Sequence, residues 1–257
     1  MGGAVDLRIK LPTDGDDVGV VRASTFARAR ALGYRAVAID GSVDASKGER
    51  CRALLERVTA NASACKKDAG DGLEIVTRCT IAFAEPGELQ GVLGRCSREV
   101  GGFDVLALEP TSERAFASAC ANKHADVIAI RANVRLPYKL SAANVRAAIE
   151  NKISFELCYG DALRDSTSRM WFFCNASALA RATRGGRDRV VLSSGATRGI
   201  ELRSMHDVVN LATFAGMTES AARAALTTSA RSVLSLRARR RDAEATESEV
   251  VDRMDAS

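Results

Sequence analysis

The feature that most constrains this chain is a repeated unit: a short apolar run, a break of turn-forming residues, then a stretch with helical periodicity. Phe103-Asp104-Val105-Leu106-Ala107-Leu108 stops at Glu109-Pro110-Thr111-Ser112 and gives way to a helical pattern through Cys120. Asp126-Val127-Ile128-Ala129-Ile130 is the next such run. After Leu136-Pro137-Tyr138-Lys139, Ser141 is placed to cap a helix whose apolar side is Val145, Ala148 and Ile149. Ile153-Ser154-Phe155-Glu156-Leu157-Cys158-Tyr159 then reads as a buried strand opening into Gly160-Asp161-Ala162-Leu163-Arg164-Asp165. Val190-Val191-Leu192 ends the series at Ser193-Ser194-Gly195-Ala196.

Strands are predicted at 4–11, 35–40, 73–83, 103–108, 126–130, 153–159 and 189–193, each followed by a helical pattern. Strands alternating with helices make a parallel sheet covered by helices. At 257 residues the economical form is an α/β, TIM-like (β/α) barrel of about seven to eight mainly parallel strands. Residues 1–236 form one domain on this reading, and 237–257 a disordered tail, first basic and then acidic. The first helix is expected from Asp17 to Leu32, ended by Gly33 at positive φ, with a loop over 41–48 and a mobile polar link over 66–72. Pro86 suits the first turn of a helix, Gly216 breaks a late one, and Thr218 caps the next, whose period continues through Ala222, Ala225, Leu226 and Val233.

Charge points to a polyanionic partner. Residues 242–257 hold six acidic residues and one arginine, so the formal net charge of +5 conceals +10 on the first 241 residues. Twelve arginines against four acidic residues lie between 170 and 241. No apolar run approaches the roughly 20 residues that span a bilayer, so no membrane association is expected. Seven cysteines, an odd number with no Cys-x-x-Cys pair, read as reduced thiols in an intracellular compartment.

Enzyme chemistry is poorly supplied. The two histidines, His124 and His206, lack ligand-spaced partners. Glu109, Glu156 and Asp161 lie at or near strand ends and could form an acid–base set; the favoured reading is that Glu109 and Glu156 pair with interior arginine or lysine, or cap neighbouring loops. Anion recognition is better supplied. Ser193, Ser194, Gly195 and Ala196 form either a phosphate loop or an ordinary strand-to-helix turn whose serines satisfy backbone groups. Arg8, Lys10, Arg131, Lys139, Arg164, Arg169, Arg198 and Arg203 lie on the first strand or near strand ends and are candidate RNA contacts. With aromatics at 5% of residues, such contacts would be to backbone and shape and not to stacked bases.

The same blocks resemble the thirty-kilodalton protein subunit family of ribonuclease P and ribonuclease MRP. The matching residues are Ala36-Val37-Ala38-Ile39, Asp104 to Glu113, Leu136-Pro137-Tyr138-Lys139, Phe155-Glu156-Leu157-Cys158-Tyr159 with Arg164-Asp165-Ser166-Thr167, and Ser193-Ser194-Gly195-Ala196, together spanning about residues 4 to 236. The resemblance implies a barrel related to polymerase-and-histidinol-phosphatase hydrolases, with the metal site lost. Asp6-Leu7-Arg8-Ile9-Lys10 stands where those enzymes carry Asp-Leu-His-x-His, and an arginine cannot deprotonate to ligate a metal. It further implies a non-catalytic subunit that supports a catalytic RNA in removing the 5′ leader of precursor tRNA and in processing precursor ribosomal RNA. No cofactor is expected on this chain, and magnesium is expected on the RNA subunit. The implied partners are the ribonuclease P and MRP RNAs, a small ferredoxin-like protein subunit and other subunits, with precursor tRNA as substrate of the complex, in the nucleus and nucleolus. The alternative is a stand-alone metal-dependent barrel phosphoesterase, which would need metal ligands clustered at the strand ends.

Overall fold

A computed structural model describes residues 3–11, 13–14, 17–18, 21–48, 50–68 and 71–238. The predicted apolar runs become seven strands: β1 (Ala4–Lys10), then, after the two-residue hairpin β2 (Thr13–Asp14) and β3 (Asp17–Val18), β4 (Tyr34–Asp44), β5 (Glu74–Phe83), β6 (Val105–Pro110), β7 (Val127–Ile130), β8 (Ser154–Cys158) and β9 (Val190–Ser193). β1 and β4 to β9 lie side by side in that order, all parallel. Strands in sequence order with helical crossovers wind into a barrel. The edges β1 and β9 meet at an Ile9–Ala196 bridge, where Lys10 N–H donates to the Ala196 carbonyl at 2.8 Å and Gly195 N–H to the Arg8 carbonyl at 2.9 Å.

Around the strands run α1 (Ala23–Ala31), α2 (Arg50–Asp68), α3 (Pro86–Arg95), α4 (Ser97–Gly101), α5 (Glu113–Ala121), α6 (Ala142–Glu150), α7 (Asp161–Arg164), α8 (Ser166–Ala182), α9 (Met205–Phe214) and α10 (Glu219–Leu226), followed by α11 (228–238). Pro86 opens α3, Gly33 takes φ +85° after α1, and Ser112, Ser141, Asp165 and Thr218 cap α5, α6, α8 and α10 with their side-chain oxygens. Much of the family-like sequence is therefore terminal punctuation. Ser112 starts α5, Asp165 starts α8, and Tyr138 stacks on Phe116 with ring centres 4.5 Å apart.

Four expectations are corrected. Asp17 and Val18 are strand and Val21 and Arg22 are not helical, so α1 begins at Ala23; Gly19 and the β-branched Val18, Val20 and Val21 make this stretch of sequence a poor helix former. The loop expected over 41–48 is strand as far as Asp44, because ten-residue β5 offers partners for Gly41, Ser42, Val43 and Asp44. The link expected from residue 66 is instead the end of α2 as far as Asp68. The tail expected from residue 237 is helical through 238, and the rest of it lies outside the described residues. No helix among the described residues is long and apolar enough to cross a membrane.

Two apolar layers result. The larger lies between the strands and the surrounding helices. The smaller fills one end of the barrel interior, where Val5, Leu7, Ala36, Val105, Ala107, Val127 and Val191 meet Ala230 and Val233 of α11. All seven cysteines are free thiols, and all but Cys174 are buried.

Candidate functional site

Beyond that apolar plug, toward the C-terminal ends of the strands, the barrel interior turns polar. The pairing of β1 with β4 slips between Asp6 and Ile9, so Leu7 joins the interior apolar cluster while its neighbour Arg8 also reaches interior carboxylates. Arg8 Nε donates to Asp40 Oδ2 at 2.8 Å and Nη2 to Glu109 Oε2 at 3.0 Å; Nη1 lies 3.8 Å from Glu156. Arg78 on β5 has no exposed surface. Its two Nη atoms grip the Glu156 carboxylate at 2.6 Å each, while Nη1 also reaches the Leu7 carbonyl and Nε the Thr80 hydroxyl. Thr80 Oγ1 donates to Asp40 Oδ1 at 2.6 Å and Ser193 Oγ to Glu156 Oε1 at 2.7 Å. Arg131, at the rim, donates twice to Glu109 Oε1, at 3.0 and 2.6 Å. Three guanidiniums thus face three carboxylates.

The electrostatics follow from that balance. Burial pushes the Asp40 carboxyl up, but Arg8 and Arg78 outweigh it and hold the group below its ordinary range; burial is likewise overcome at Glu109 by Arg8 and Arg131. Both stay ionised and acceptor-only, which suits an ion-pair lattice and not proton transfer. Glu109 and Glu156 are therefore partners of interior arginines, the favoured reading. Asp161 stands apart: burial raises its carboxyl, opposed by Lys10 and by Arg164, whose Nη1 is 3.8 Å away. The donor set does not fit a divalent cation. The interior carboxylates already close on two fixed cations, and among the described residues no group of three or more His, Cys, Asp or Glu is placed to hold a metal.

The loop after β9 has its anion built in. Ser194 N–H donates to Asp6 Oδ1, Gly195 N–H to the Arg8 carbonyl, and Ala196 N–H to the Ser194 hydroxyl, which itself donates to the Arg8 carbonyl. Thr197 N–H and Arg198 N–H both donate to Glu201 Oε2. Ser193, Ser194, Gly195 and Ala196 are buried with their donors engaged, so these four residues seal the barrel seam and present no open phosphate cradle. Asp6, which closes this seam, is incompletely served: its Oδ2 has no hydrogen-bond partner among the described residues, and burial lifts its carboxyl from 3.8 to about 6, against the hydrogen bonds from Ser194 and Arg8.

The eight candidate RNA contacts do not form one surface. Arg8 is 4% exposed and wholly engaged inside, so its candidacy is corrected. Arg131 is partly exposed but tied to Glu109. Arg164 Nη2 donates to the Gly195 carbonyl at 3.2 Å, and Arg169 Nε to the Ala162 carbonyl at 2.9 Å. Arg203 Nη1 donates to the carbonyls of Ile200 and Leu202, and its own backbone is held by Tyr34 and Tyr159. Lys139 is exposed beside Arg135 and Arg181 at a shallow depression under α8. Lys10 and Arg198 share a separate groove with Arg22 and Arg28, two cations the sequence reading passed over. Arg78 was also passed over, although an arginine inside Ile75-Val76-Thr77-Arg78-Cys79-Thr80-Ile81 is itself a signal of interior pairing.

The family model of ribonuclease P subunit p30 matches residues 3–242. The ribonuclease P protein subunit p30 of Mus musculus is 34% identical over 206 residues, covering 79% of this chain and 75% of that protein. The probable ribonuclease P protein subunit 3 of Schizosaccharomyces pombe is 30% identical over 239 residues, covering 93% and 95%. Among solved structures, a chain in a cryo-EM structure of archaeal ribonuclease P with mature tRNA shares the fold, with a TM-score of 0.67 over 90% of each chain at 12% identity.

Proposed function

This chain belongs to the ribonuclease P subunit p30 family, and from that membership we propose that it is a non-catalytic protein subunit of the ribonuclease P ribonucleoprotein. Its part in tRNA 5′ leader removal is to support the catalytic RNA, whose own bound magnesium supplies the phosphodiester chemistry. The same subunit would serve ribonuclease MRP in ribosomal RNA processing. The role carries a nuclear location, with nucleolar residence as its finer form. A small ferredoxin-like protein is the proposed neighbour within the particle.

One observation supports the non-catalytic part above others. The position at the strand ends where a barrel hydrolase collects its reacting groups is filled here by the Arg8, Arg78 and Arg131 lattice with Asp40, Glu109 and Glu156. With every one of those three carboxylates engaged by guanidinium, none of them is placed to act as a general base or to ligate a metal. A barrel whose interior is neutralised in this way acts as a scaffold that displays cations on its outside.

The test is affinity purification of the tagged chain from its own cells, with sequencing of the recovered RNA and a precursor-tRNA cleavage assay. Recovery of a ribonuclease P RNA, with 5′ cleavage abolished by nuclease treatment of the particle, is expected. Recovery of no RNA, together with a metal-dependent phosphoesterase that is lost on chelation, would overturn the reading in favour of the stand-alone hydrolase.

A further inference from the structure

Beside the closed barrel mouth lies a groove of about 1000 Å³ between the end of β1, the start of α1 and the 3-10 turn at Gly199–Glu201. Four cations line it: Lys10, Arg22, Arg28 and Arg198. Among the residues whose side chains are described, Lys10, Arg22 and Arg28 have no ion-pair partner within 4 Å. Arg198 has only a 3.9 Å approach to Glu201, whose other oxygen is already taken by the N–H groups of Thr197 and Arg198. The contrast with the groove at the α10–α11 end is informative: its Arg223 and Arg231 are bound to Glu219 and Glu74. Cations from three separate elements, converging on one groove and, but for Arg198, without an ion pair among the residues whose side chains are described, are the arrangement that a phosphodiester chain completes.

The groove's shape is built in. Gly199 sits so close to α1 that a Cβ there would lie 3.1 Å from the Thr25 Cα and 3.6 Å from the Arg28 Cβ. This approach fixes the turn, and with it Arg198, against the helix carrying Arg22 and Arg28. No aromatic side chain lines the groove, so nothing in it stacks a base.

We infer that this groove is a docking surface for an RNA phosphodiester backbone, contacted through Lys10, Arg22, Arg28 and Arg198 without base readout. The inference rests on the proposed role in a ribonucleoprotein and adds to it the surface that touches RNA. The RNA is the particle's own RNA subunit, which the proposed role has this chain support; precursor tRNA is the contrary outcome of the test.

The experiment measures binding of the full chain to ribonuclease P RNA and, separately, to precursor tRNA across a salt series. Arg22→Gln/Arg28→Gln should weaken binding and reduce the slope of log K against log salt by roughly 1 to 2, since each lost phosphate contact removes somewhat under one unit. Arg22→Lys/Arg28→Lys should keep the slope. Arg223→Gln/Arg231→Gln, removing equal charge from the other end, should leave it unchanged. A loss on ribonuclease P RNA, larger than that on precursor tRNA, supports the groove; a loss confined to precursor tRNA, or equal on both RNAs, would overturn its assigned occupant. Equal losses in the groove and control variants, or none in the groove variant, would overturn the groove while leaving the ribonucleoprotein role intact. Failure of the unaltered chain to bind or recover any RNA would overturn both.

Discussion

Arg78 and Asp6 are both buried on the wall of the same barrel, and their substitutions should move stability in opposite directions. Arg78 holds Glu156 in a bidentate pair and approaches Asp40 at 3.4 Å, all three without solvent exposure. Arg78→Met leaves two buried carboxylates short of a cation and should cost about 3–5 kcal/mol; Arg78→Met/Glu156→Met, which removes the bidentate pair, should recover part of that. Urea midpoints of the two variants check this, and a double variant no more stable than Arg78→Met would contradict it. Asp6 runs the other way. Its carboxyl titrates at about 6 when folded and near 3.8 unfolded, so the folded state binds the proton more tightly. Stability contributed by that proton is complete below about pH 4 and lost as pH rises to about 6, to the extent of roughly 3 kcal/mol. Asp6→Asn keeps an acceptor for the N–H groups of Arg8 and Ser194 and carries no charge. The variant should therefore gain on the parent protein between pH 4 and 6 and stay more stable at pH 7; a difference between them that is flat with pH would refute the assignment.

At the scale of elements, β4 shows what a one-dimensional pattern conveys and what it omits. The apolar run Ala36-Val37-Ala38-Ile39 announces a strand, and Gly41 after Asp40 looks like a turn. The strand continues because β5 continues beside it, and Gly41 is required because a Cβ would stand 2.3 Å from both methyls of Val58 on α2. Gly41→Ala should cost about 1–3 kcal/mol by overpacking, and Val58→Ala in the same chain should relieve most of it. Thermal melts of the single and double variants decide the point, with additive losses as the contrary outcome. The strands and helix caps were legible because alternation, turn residues and capping hydroxyls are local. The length of β4, the hairpin replacing the first turns of α1, and the continuation of α2 depend on neighbours distant in sequence. The candidate site divides the same way. Glu109 and Glu156 could be assigned interior partners from their positions at strand ends, whereas the capture of Arg8 by Asp40 needs the slip in β1, and the Arg22–Arg28 face needs the fold of the turn around Gly199.

For the whole molecule, the end of the chain matters more than its composition suggests. Residues 228–238 follow the last packed helix and run toward an arginine cluster, and sequence alone places a tail from residue 237. In the fold, Ala230 and Val233 meet Val5, Leu7, Val105, Val127 and Val191 inside the barrel, and Arg237 is 3% exposed, its Nε directed at the Phe103 carbonyl and 3.8 Å from Asp126. α11 is thus the stopper of one end, as the arginine–carboxylate lattice is of the other. A chain ending at 226 would open several apolar side chains to water, each worth about 1.5–3 kcal/mol when buried, a loss comparable with the whole stability of a domain. It should collapse without cooperative melting, whereas a chain ending at 238 should melt within about 2 °C of the full one. Val233→Asp in the full chain tests the same contact without truncation, because it drives a carboxylate into the apolar cluster while the nearby Arg237 is already engaged by Asp126 and the Phe103 carbonyl; it should cost at least about 3 kcal/mol. Cooperative, near-normal melting of both the chain ending at 226 and Val233→Asp would mean that the barrel is closed by its strands alone. The stopper also bears on assembly. With both ends sealed from within, RNA and protein partners are left the outer surfaces, so a variant that loosens α11 should lower the yield of particle without changing the cleavage rate of the particle that forms.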